Sequence, residues 1–142
     1  MKRLVVNPDA CTGCESCMLE CSFQHEGAFG LDHARIQVER REVSATFRPR
    51  VCIQCEERHC IAACPVGALS IHPDTGAIRV DGDLCTGCGL CERACPHGGI
   101  HFVQGVKSPF VCDLCGGEPK CIAMCRKAQA ISFAVIGGGD ER

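Results

Sequence analysis

The chain has 142 residues and a formal net charge of −2, lacks tryptophan and tyrosine, and holds 16 cysteines. So weak a charge excludes a strongly basic nucleic-acid binder, and no apolar run approaches the length that spans a membrane. The 46% hydrophobic share counts the cysteines, so the apolar core is thin and something besides burial must help the chain fold.

In chain order, the N-terminus from Met1 to Pro8 starts basic, but its apolar stretch is too short for a secretory signal. Arg40-Arg41 is internal and therefore not a twin-arginine leader. The expected compartment is the cytoplasm, where many thiols point to metal rather than disulfides. A first helix is predicted over Cys14 to His25, and the alternation of Arg35 to Arg40 predicts a strand. Arg35, Arg40, Arg41, Arg48 and Arg50 make a basic stretch, a solvated face or a docking surface for an acidic partner. A short helix follows over Ile61 to Cys64. Leu69 to Val80 reads as a β-hairpin around Pro73-Asp74-Thr75-Gly76. Leu90 to Cys95 is a third helix. Ile100 to Val103 and Val106 to Val111 read as a second strand pair around Gly105. A helix over Ile122 to Ala128, a strand over Ala130 to Ile136 and a flexible tail over 137–142 complete the chain. The length suits one compact domain.

The cysteines fall into four groups of four: Cys11, Cys14, Cys17, Cys21; Cys52, Cys55, Cys60, Cys64; Cys85, Cys88, Cys91, Cys95; and Cys112, Cys115, Cys121, Cys125. Groups one and three share the spacing C-x2-C-x2-C-x3-C, and Cys-Thr-Gly-Cys occurs at 11–14 and again at 85–88. Groups two and four stretch only the middle gap, so the chain carries an internal repeat. A tight triplet can wrap three corners of an iron–sulfur cubane. The trailing cysteine, one helical turn later, faces away and ligates the neighbouring cluster. Zinc sites also use four thiolates, but usually as separated C-x2-C knuckles. Four equal quartets are not a disulfide pattern. The leading expectation is four [4Fe–4S] clusters and electron transfer. A structural zinc-binding interaction module and a cluster-delivery protein with a labile cluster are the rivals.

None of the six histidines is needed as a ligand. His59 and His97 are candidates for hydrogen bonding to cluster ligands, and surface placement is the plainer reading for all six. No nucleophile–base pair, nucleotide loop or carboxylate dyad stands out, so no catalytic residue is expected.

The four quartets in this order, with Val111-Cys112-Asp113-Leu114-Cys115 in the third-to-fourth region, resemble the four-cluster ferredoxin-like electron-transfer subunits of molybdenum and tungsten oxidoreductases. That family includes the iron–sulfur subunits of dimethyl sulfoxide reductase-like enzymes. In size the chain is similar to the small subunits of tungsten aldehyde oxidoreductases and related benzoyl-CoA reductases. Arg126 departs from the family, which commonly has proline after the last cysteine.

The resemblance implies an α+β, ferredoxin-like fold of two nested bacterial-type dicluster units within one domain over 1–142. The outer unit is 1–34 plus 105–136 and the inner one 50–104. It implies four ligand sets: Cys11, Cys14, Cys17 and Cys125; Cys112, Cys115, Cys121 and Cys21; Cys52, Cys55, Cys60 and Cys95; Cys85, Cys88, Cys91 and Cys64. It also implies a larger catalytic subunit as partner. A flavin or NAD reductase subunit, a soluble ferredoxin or head-to-tail copies of the chain are candidates for the other end.

Overall fold

The computed structural model describes residues 2–125 and 129–135. The predicted tail over 137–142, the helix end at 126–128, Arg126 and Ile136 lie outside them. The fold is α+β, with eight short strands and four α-helices among the described residues. The strands are β1 (Lys2–Val6), β2 (Gln37–Arg41), β3 (Thr46–Arg50), β4 (Leu69–Ile71), β5 (Ile78–Val80), β6 (Ile100–His101), β7 (Phe110–Val111) and β8 (Ile131–Val135). The helices are α1 (Ser16–Glu26), α2 (His59–Ala63), α3 (Leu90–Ala94) and α4 (Cys121–Met124).

Every sheet is an antiparallel pair: β1 with β8, β2 with β3, β4 with β5, β6 with β7. The first joins the two ends of the chain, from Lys2 opposite Val135 to Val6 opposite Ile131. Helix α1 packs on α4, and α2 packs on α3. The N-terminal and C-terminal elements therefore meet one another, and the central elements meet one another.

The local chemistry explains the elements. Helix α1 stops at Gly27, whose φ of 73° lets its N–H turn back to the Phe23 carbonyl at 2.9 Å. In the β4–β5 hairpin the His72 N–H reaches the Ala77 carbonyl at 2.8 Å, and Gly76 donates to the His72 carbonyl at 2.9 Å. The predicted second hairpin is shorter than expected, with only Ile100 opposite Val111 and His101 opposite Phe110. The predicted strand at Arg35 begins instead at Gln37 and pairs with β3. One face of this pair carries Val38, Pro49, Arg40 and Phe47; the other carries Glu39, Arg48, Arg41 and Thr46. Val38 and Pro49 point to the group-one cysteines, and Phe47 lies against Gly13.

Leu4, Ile36, Leu114 and Ile131 are fully buried, and they share one core with Cys17, Cys21, Cys52, Cys60, Cys91, Cys112 and Cys121. Thiols thus occupy much of the space that aliphatic side chains fill in other domains. Arg3, buried on β1, forms an ion pair with Glu56 in the group-two loop at 3.3 Å.

Candidate metal centres

None of the sixteen cysteines is joined in a disulfide. Group by group, the first and second cysteines lie in loops, except Cys115 in a short 3-10 turn over Leu114–Gly117, and the third opens or enters a helix: Cys17 in α1, Cys60 in α2, Cys91 in α3, Cys121 in α4. A cavity of about 660 Å³ is lined by Cys11, Cys14, Cys17 and Cys125, closed by Val38, Pro49, Met124 and Ile131. Another is lined by Cys52, Cys55, Cys60 and Cys95, with His97 on its wall. A third is lined by Cys64, Cys85, Cys88 and Cys91. The remaining four thiols act on one another: Cys112 feels Cys121 and Cys21, and Cys121 feels Cys21 and Cys115.

Burial dominates the electrostatics. It pushes the Cys17 thiol up to about 12, with Cys125, Cys11 and Cys14 adding repulsion. Burial likewise raises Cys52 to about 12, Cys121 to about 12 and Cys91 to about 11. Thiols raised in this way need a metal group to become thiolates, and its binding expels their protons. The donor set is all sulfur, in fours, and cubanes require four thiolates each.

Backbone N–H groups aim at several sulfurs. Arg35 donates to Cys21 Sγ at 3.1 Å, Ala68 to Cys64 at 3.2 Å, Gly99 to Cys95 at 3.4 Å and Leu114 to Cys112 at 3.4 Å. Such bonds stabilise charge on a ligand sulfur.

Surface placement of all six histidines is the expectation from the sequence, and here the structure differs. His25 is only 12% exposed at its side chain, and its Nε2 sits 2.8 Å from Asp113 Oδ1. Its Nδ1 lies 2.9 Å from the Cys21 carbonyl and 3.7 Å from Cys21 Sγ. Hydrogen bonding to Asp113, then to Cys21, raises the His25 pKa to about 10. Burial opposes ionisation of the Cys21 thiol, but His25 and the Arg35 N–H outweigh it and its pKa is lowered. Asp113 also accepts the Cys115 N–H at 2.9 Å. No sequence signal marks this pair, because 88 residues separate its members. Of the two histidines singled out from the sequence, His59 is exposed, whereas His97 comes with Glu57 and Cys55 within 4.8 Å of one another.

The arginine stretch does not act as one face. Arg35 lies over the Phe110 ring at 5.2 Å and pairs with Glu26 at 3.7 Å. Arg40 covers Phe47 at 5.4 Å. Arg41 and Arg50 each lie 4.0 Å from Glu39. Among the described residues no helix is long and apolar enough to cross a membrane.

Two models of a 4Fe–4S dicluster domain match the sequence, over residues 3–65 and 51–99. The polyferredoxin-like subunit of aliphatic sulfonate oxidoreductase from Pyrococcus furiosus is 37% identical over 95% of this chain and 78% of the relative. A polysulfide reductase subunit from Wolinella succinogenes is 27% identical over 92% of this chain and 74% of the relative. A solved active site complex of benzoyl coenzyme A reductase with benzoyl-CoA contains a protein 26% identical, with a TM-score of 0.53, over 94% of this chain and 81% of that one. Two dicluster domains and sixteen thiols amount to four [4Fe–4S] clusters. The protein is a non-catalytic iron–sulfur electron-transfer subunit, and it belongs to the family of polyferredoxin-like subunits of oxidoreductase complexes.

Proposed function

We propose that the protein is a linear relay of four sites, joining a catalytic subunit with a tungsten or molybdenum cofactor to a second redox protein. When bound, each cubane takes up and returns one electron. The ligand sets are Cys11, Cys14, Cys17 and Cys125; Cys112, Cys115, Cys121 and Cys21; Cys52, Cys55, Cys60 and Cys95; Cys85, Cys88, Cys91 and Cys64. Each fourth cysteine comes from another group, so the outer unit (1–34 plus 105–136) encloses the inner one (50–104). The meeting of α1 with α4 and of α2 with α3 supports this nesting.

The observation that carries the linear order is which thiols of different sets are neighbours. Cys17 acts on Cys121, Cys52 acts on Cys112, and Cys60 acts on Cys91. These three electrostatic couplings string the sets together in the order given. The two end sets each hold an exposed cysteine, Cys14 and Cys88, and neither middle set does. Electrons therefore enter and leave at the ends.

An oxidised cubane with four thiolates carries about −2, so four add about −8. The loaded subunit is far more anionic than its sequence. The catalytic subunit occupies one end; a flavin or NAD reductase subunit, a soluble ferredoxin or a second copy takes the other. The tungsten or molybdenum assignment rests on the order of the quartets and the chain's size. The cytoplasmic placement rests on the need for a reducing compartment.

The test is anaerobic purification of the native complex, with metal analysis and a redox titration followed by electron paramagnetic resonance. The reading predicts about 16 irons per copy of this subunit, four per cubane, plus tungsten or molybdenum in the companion. Zinc in place of iron overturns the relay, and a companion without either heavy metal overturns the partner.

A further inference from the structure

Beside the Arg3–Glu56 ion pair, the contact between the two halves holds a buried polar side chain, Gln54. It lies between Cys52 and Cys55 and is 1% exposed. Its amide nitrogen donates to the Cys112 carbonyl at 2.9 Å. Its amide oxygen accepts the Ile78 N–H at 3.0 Å and Arg58 Nη1 at 3.3 Å. Arg58 continues the network through Nη2 to the Gly76 carbonyl at 2.8 Å. The backbones of Gln54 and Arg58 are both left-handed, with φ of 56° and 51°, a conformation that non-glycine residues adopt only when their surroundings enforce it.

A buried amide is retained at a cost unless every group finds a partner. Methionine would fill nearly the same volume without that demand. What the amide adds is direction: it ties the Cys112 backbone to the Cys52–Cys55 loop across 58 residues of sequence. Those two loops belong to the two middle sets of the proposed relay.

We propose that Gln54 is the positioning residue for the central electron-transfer step, holding Cys112 at a fixed separation from the Cys52–Cys55 loop. The inference rests on the linear order given above. The step moves one electron from a reduced to an oxidised cubane; no bond forms or breaks, and Gln54 carries neither electron nor proton. A change of this bond therefore alters the coupling of the two middle sites while leaving their ligands in place.

The test uses the full chain in its complex, with Gln54→Met and Gln54→Glu. Glutamate keeps an acceptor for Ile78 and Arg58 but offers no donor to Cys112. Iron content is measured first. The magnetic interaction between reduced clusters and the rate of electron redistribution after a photoreduction pulse are then compared with the parent protein. Both variants are expected to keep their iron, to show a weakened interaction between the middle clusters and to redistribute electrons several-fold more slowly. Full iron with unchanged interaction and rate in either variant overturns the proposal. Iron loss spread evenly over all four sites overturns it too, since the role assigned to Gln54 is local to two. Absence of any interaction between the two middle clusters in the parent protein would instead defeat the linear order itself.

Discussion

In the proposed nesting, the inner and outer halves satisfy their fourth cysteines in different ways. In the inner half the solution is local. Cys64 and Cys95 are each followed by proline and then by a glycine at φ 67°, Gly67 and Gly98. The chain turns back so that the fourth residue on, Ala68 or Gly99, donates its N–H to the sulfur at 3.2 or 3.4 Å. In the outer half Cys21 sits inside α1, where no such turn can form. Its N–H donor is Arg35, fourteen residues away, and His25 braces it from one helical turn on. The same electrostatic need is thus met by a five-residue motif in one half and by tertiary structure in the other.

The largest perturbation should erase the distinction. Chelation or air oxidation removes the groups that hold both halves, and metal-ligation free energy is folding free energy here. Circular dichroism should show loss of the fold, and an apo form that still melts cooperatively would contradict this. Gly99→Ala should strike the inner half alone. A Cβ there would lie 2.5 Å from Cys52 Cα and 2.6 Å from Cys52 N, backbone atoms that cannot swing aside. The cost should be about 3 kcal/mol, read as selective loss of iron from the inner pair; even loss from both halves would blur the comparison.

His25→Asn is the matching probe of the outer half. Loss of the charged hydrogen bond to Asp113 should destabilise by about 2 kcal/mol. The pH dependence has a definite sign. Because the His25 pKa rises from 6.5 to about 10 on folding, its contribution is full below 6.5 and is lost as pH climbs toward 10. The difference in melting temperature between parent and variant should shrink over that range; a constant difference would remove His25 from the account. Smallest is Gly67→Ala. Nothing lies within 4 Å of the new methyl group, so only the left-handed backbone is strained, by about 1–2 kcal/mol. Thermal melts should show a modest shift with all iron retained.

The same local–tertiary division governs what the sequence revealed. The quartets, the helices at their third cysteines and the β4–β5 hairpin are legible because each is encoded within fourteen residues or fewer. Strand β3 is hidden by Pro49 and two arginines, which read as loop until Pro49 is seen buried opposite Val38 over the group-one cavity. Strand β8 is legible as the short apolar run predicted over Ala130 to Ile136, but its pairing with β1 is hidden because the two stand at opposite ends of the chain. His25, Asp113 and Gln54 have partners 24 to 88 residues distant. A lone histidine or glutamine carries no periodic signal that could announce such contacts.

The central claim, that the halves are nested and exchange their fourth cysteines to make one line of clusters, is tested most directly by an iron anomalous-scattering map. Crystals of the anaerobically purified protein should show four cubanes in sequence. Cys125 should be bonded with Cys11, Cys14 and Cys17, and Cys21 with Cys112, Cys115 and Cys121. A cubane bound by both Cys11 and Cys21 would contradict the account.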